Sequence, residues 1–169
     1  MVFIKTLKHY MSKKPIVVDE KVTEDCIEFI GLVLPKIKEY LNIESAPFIQ
    51  LCTSFDLPTV YGLYKFDTKE LFICPYELAK LFKLKNYGEL FLNITAAIVH
   101  ELTHYKQDIE GRYSQEKFLN EYTTITNLEG YMDQDIEKEA YSNQFDFTKI
   151  NRMYIYTLAG IVLNRRLKK

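Results

Sequence analysis

From Glu89 to Ile109 the chain contains neither proline nor glycine, and apolar residues (Leu90, Phe91, Leu92, Ile94, Ala96 to Val99, Leu102) fill most of its turns. Such a stretch predicts one long, largely buried helix, with Asn86-Tyr87-Gly88 as the break before it. A helix that must be covered on most of its surface sets the centre of the fold. Polar residues within it then need a reason, and His100-Glu101-Leu102-Thr103-His104 lies inside it. Four residues of α-helix turn by about 400°, so both imidazoles project from one face, about 6 Å apart along the axis.

Two neutral imidazoles at that spacing can chelate one metal ion. A catalytic zinc site uses three protein ligands and keeps a fourth position for water, and Glu101, next to the first ligand, can accept that water's proton. The plain alternative is an ordinary helix whose histidines are hydrogen-bonded. Against it, two of the chain's three histidines fall at this spacing. Burying them beside a carboxylate with no cation would also be costly.

The rest of the composition bounds the fold more than the function. The 169 residues, 47% of them hydrophobic, suit a single domain over 1–169, with 1–18 as a possible amino-terminal arm set off at Met11 to Pro15. Lys and Arg number 22 against 23 acidic residues, which argues against nucleic acid as a partner. Cys26, Cys52 and Cys74 lack the spacing of a structural zinc site or a disulfide framework and read as buried thiols. Charge interrupts the first ten residues before a signal-peptide core can form, and the longest apolar run, Met153 to Leu163, falls short of the roughly 20 residues that span a bilayer. These features predict a cytoplasmic protein. Arg165, Arg166, Lys168 and Lys169 then read as solvated charge at the end of a core-packed last helix rather than as a membrane-surface contact.

Along the chain, Asp19 can cap a helix whose apolar positions Val22, Cys26, Ile30, Val33, Ile37 and Leu41 recur at steps of three and four; Pro35 should kink or end it. Pro47 to Thr53, Val60 to Phe66 and Leu71 to Cys74 read as strands of a small, mostly antiparallel sheet. Ile16-Val17-Val18 is strand-like as well. Pro75 marks a helix start, and further helices are predicted over Gln134 to Phe145 and Arg152 to Leu167.

The residues after His104 contain neither the glycine nor the histidine of HExxHxxGxxH. His9 is upstream, so a third ligand points to the acidic cluster Asp133, Asp135, Glu137 and Glu139. Periodicity does not separate the two glutamates, because Ile136 and Ala140 favour one helix face while Tyr141 and Phe145 favour another.

HELTH, with uncharged Ala97-Ile98-Val99 before it, resembles the active-site helix of the zincin metallopeptidases, and Glu139-Ala140-Tyr141-Ser142-Asn143 resembles the glutamate helix of the gluzincins. Lys106 departs from the family's apolar preference, and Asn143 stands where many relatives have Asp. The resemblance covers about Tyr61 to Asn143. It implies an α+β, zincin-like fold: a small sheet, a long active-site helix and a helical carboxyl-terminal lobe. It further implies one zinc per chain on His100, His104 and Glu139, Glu101 as general base, and Tyr131 as oxyanion donor. The implied activity is peptide-bond hydrolysis on peptide or protein substrates, presented along Val60 to Tyr64 as an edge strand. There Gly62 either admits a close backbone or marks a bulge. The rival reading is a latent or non-catalytic regulatory protein that keeps the zincin frame.

Overall fold

The computed structural model describes residues 17–53, 60–112, 130 and 134–168. Among these the elements run α1 (Glu20–Leu41), β1 (Phe48–Leu51), β2 (Gly62–Lys65), β3 (Glu70–Ile73), α2 (Pro75–Leu81), α3 (Tyr87–Ile109), α4 (Asp135–Ile150) and α5 (Arg152–Arg166). The fold is α+β, with these five helices and one three-stranded sheet among the described elements. The amino-terminal arm up to residue 16, including Met11 to Pro15 and the start of the strand-like Ile16 stretch, lies outside the described residues.

Asp19 caps α1 as its position predicts, its Oδ1 accepting from the Val22 N–H at 2.9 Å. Pro35 does not end the helix, which continues to Leu41 and closes on Asn42 in the left-handed region. Pro35 and Gly31, whose carbonyl loses its helical donor to the proline, are both exposed, so water can satisfy the freed group. The buried stripe Val22, Cys26, Phe29, Ile30, Val33 and Ile37 faces inward, and Phe29 stacks on Phe91 of α3 with ring centroids 4.3 Å apart.

The sheet is mixed, in contrast to the mostly antiparallel one predicted. Its order is β1-β3-β2: β2 and β3 form an antiparallel hairpin, while β1 lies parallel to β3, with Phe48 opposite Glu70 and Leu51 opposite Ile73. Hairpin pairing is local and follows from the 66–69 turn, closed by Lys69 in the left-handed region. The pairing of β1 is long-range and leaves no mark in the alternation of side chains.

α3 is the hub. It packs against β2 and β3 on one side and against α1, α4 and α5 on the others, and Leu90, Phe91, Ile94, Ile98, Val99 and Leu102 have no exposed surface. α5 buries Ile155 and Val162 in the same core. Its basic end is tied down: Arg165 bonds Glu28, and Arg166 bonds Asp25 at 3.0 Å and the Tyr87 hydroxyl. Cys26 and Cys74 are buried as predicted; Cys52 is only half-buried, and all three are free thiols. No helix among the described residues is long and apolar enough to cross a membrane.

Candidate metal centre

The rotation of α3 places the motif. The helix starts on Asn86, whose Oδ1 accepts from the Glu89 N–H at 2.9 Å, and its apolar stripe sinks into the core. Consequently His100, Glu101 and His104 are buried at 7%, 9% and 7% exposure. Thr95 and Thr103 tolerate burial because each hydroxyl donates to the carbonyl four residues back, at 2.8 Å.

His100 Nε2 and His104 Nε2 lie 3.1 Å apart. The carboxylate of Glu137, fully buried in the first turn of α4, closes the third side, with Oε2 3.2 Å from His100 Nε2 and Oε1 3.4 Å from His104 Nε2. Their donor atoms all lie within 4.8 Å of one another, so this buried group could hold a metal ion.

A fourth residue tests that fit. Gln107 spends its amide N–H groups on the Ile136 carbonyl and on Glu139 Oε2, each at 3.0 Å, so its Oε1 faces His104 Nδ1 at 3.0 Å as an acceptor. His104 therefore carries its proton on Nδ1 and presents the Nε2 lone pair toward Glu137. A lone pair and two carboxylate oxygens aimed at one buried spot repel one another. A proton on His100 relieves part of this; a divalent cation would answer both imidazoles and the carboxylate at once, and this donor set is one that such ions take.

Burial, joined by the charge of His100, pushes His104 down to about 4, which leaves its imidazole neutral near pH 7. Burial also pushes Glu101 up to about 7, against the pull of His100 and aided by the charge of Glu137. For His100, burial works toward a lower value, but the bond to Glu137 and the charges of Glu101 and Glu137 raise it overall.

Glu139, the third ligand implied by the sequence resemblance, is not in this group. Arg112 holds its carboxylate with two bonds, Nη1 to Oε2 at 2.6 Å and Nη2 to Oε1 at 3.0 Å, at the half-exposed rim. The physical reason is helix rotation. Ile136, Glu137, Ala140 and Phe147 form the buried face of α4, and a step of two residues turns about 200°, carrying Glu139 off that face. Glu139 still touches the centre at one remove, through Gln107. Asn143, read as a support for a ligand histidine, instead donates to Thr103 Oγ1 at 3.3 Å. The residue four past the buried glutamate is Tyr141, whose ring packs edge-on against His100 at 4.6 Å between centroids. Tyr131 lies outside the described residues.

Glu101 points to the sheet. Its Oε2 accepts from the Tyr64 N–H at 2.8 Å, so β2, an edge strand among the described residues, is partly occupied by the helix beneath it. Val60 and Tyr61, included in the predicted strand, precede β2, though the Tyr61 carbonyl still accepts from the Cys74 N–H at 2.9 Å. Sequence reasoning missed Gln107 and Tyr141; the first had a signal, a polar residue three past His104 in a buried helix, where it must reach the histidine's side.

Comparison of the chain with family models, curated proteins and solved structures gives no significant match.

Proposed function

We propose that the protein is a zinc-dependent metallopeptidase of the zincin type, with His100, His104 and Glu137 as ligands and Glu101 as general base. The observation that supports this most is the convergence of two imidazoles and one buried carboxylate, with a second carboxylate one residue along the same helix and aimed at an edge strand. Zinc held by these residues would supply an acidified water and a polarised substrate carbonyl.

The chain's own groups do the rest. Glu137 and the two imidazoles supply three donors, which leaves a coordination position for water. Glu101 accepts the water proton at a carboxylate oxygen and can return it to the leaving amine. Gln107 keeps His104 in the tautomer that binds through Nε2. Among the described residues β2 is an edge strand, and beside the Tyr64 N–H that Glu101 occupies it offers backbone groups to an extended peptide, which favours unfolded or extended segments as substrates.

Glu101→Gln tests the reading, because it removes the base and almost no volume. The variant should hold about one zinc per chain and fold as the parent does, while peptide cleavage drops by about 100-fold or more. Cleavage near the parental rate by this variant would exclude the proposed mechanism.

A further inference from the structure

We infer that Gly62 and Tyr64 of β2 form a cradle that positions the Glu101 carboxylate, and that position 62 must lack a side chain for Glu101 to occupy it. The catalytic consequence rests on the peptidase reading; the cradle itself does not.

A Cβ placed on Gly62 would lie 2.8 Å from Glu101 Oε1, 3.1 Å from its Cγ and 3.3 Å from its Cδ. A loose side chain would swing aside, but this one is pinned. Its Oε2 accepts from the Tyr64 N–H at 2.8 Å, and Glu101 is buried. Tyr64 is itself anchored: it is 3% exposed, and its hydroxyl donates to Asp108 Oδ2 at 2.6 Å. Asp108 lies about two turns beyond Glu101 on α3, and Lys69 of the β2–β3 turn bonds it as well. The strand is thus clamped to the helix at Asp108, beyond the point where the carboxylate rests.

Backbone conformation does not explain the glycine. Gly62 pairs with Ile73 in a regular antiparallel register, and its φ lies outside the left-handed region. In a strand, glycine weakens the sheet relative to a residue with a side chain. Space for Glu101 is the remaining reason. Gly62 and Tyr64 are therefore positioning residues, acting through a carboxylate whose proton transfers depend on placement to a fraction of an ångström.

The test is Gly62→Ala in two backgrounds. In the chelator-treated full chain, melting should fall by several degrees when Glu101 is present. It should stay level or rise beside Glu101→Ala, which removes the three atoms in the way. With zinc restored, Gly62→Ala should bind metal at the parental stoichiometry and keep its KM, while kcat falls by about 100-fold. Equal melting shifts in the two backgrounds overturn the cradle, and so does a parental kcat. If Gly62→Ala alone fails to fold, recovery of folding in the double variant supports the cradle, and failure of both overturns it. A melting shift coupled to Glu101, found in a protein that cleaves no peptide in any form, keeps the cradle and removes the peptidase reading.

Discussion

The inner face and the outer rim of α4 each carry a glutamate, two residues apart, and the two meet opposite surroundings. Glu137 is fully buried against the imidazoles of His100 and His104, while Glu139 is half-exposed and gripped by Arg112. An arginine holds the Glu139 carboxylate below the usual carboxylate range, chiefly through its hydrogen bonds, and asks nothing further of the site. Glu137 faces the two imidazoles, and a carboxylate buried in that position needs positive charge nearby. The lesson is that which acidic residue reaches the two histidines is decided by where its helix is pinned by the core, rather than by which has the more familiar neighbours.

Breaking the inner face should have the largest effect. Glu137→Ala leaves two protein donors, so zinc retained after dialysis, measured by elemental analysis, should fall from about one per chain toward none. Glu139→Ala should keep the metal. The reverse pattern would mean that α4 is rotated from the position described.

The pinning itself can be tested next. Phe147 is fully buried and Phe145 is 63% exposed, so Phe147→Ala should cost about 3–5 kcal/mol in chemical denaturation. Phe145→Ala should stay within about 0.5 kcal/mol. Equal costs would remove the argument for which face of α4 points inward.

Gln107 joins the two regions, and its replacement should have an intermediate effect. Gln107→Leu keeps the bulk but loses the bond that orients His104, and competition with a chromophoric chelator should show zinc affinity weakened by about 10- to 100-fold. Unchanged affinity would make Gln107 a matter of packing alone. A small effect belongs to the rim as well: Arg112→Ala breaks a half-exposed pair, and stability should change by about 1 kcal/mol or less with metal content intact.

Much of this was legible in the sequence, and the gaps have physical causes. The positions of His100, Glu101 and His104 follow from helical periodicity alone, because an uninterrupted apolar helix admits one rotation. The start of α1 follows from Asp19 through local capping, but its continuation past Pro35 to Leu41 and the inclusion of Tyr87 and Gly88 in α3 did not. The convergence of Glu137 on the two histidines did not follow, because α4 carries aromatic residues on two faces and only tertiary packing decides that Phe147, rather than Phe145, is buried. The parallel pairing of β1 with β3 was equally hidden, since strand partners far apart in sequence share no local pattern. The close approach of Gly62 to Glu101 needed coordinates, as the sequence offers a strand glycine with two readings of equal standing.

Anomalous diffraction at the zinc edge, on crystals grown with the metal, tests the central claim most directly. The account predicts one strong peak about 2.0–2.2 Å from His100 Nε2, His104 Nε2 and a Glu137 oxygen. A peak bound by Glu139 instead, or none between the two histidines in zinc-loaded crystals, would contradict it.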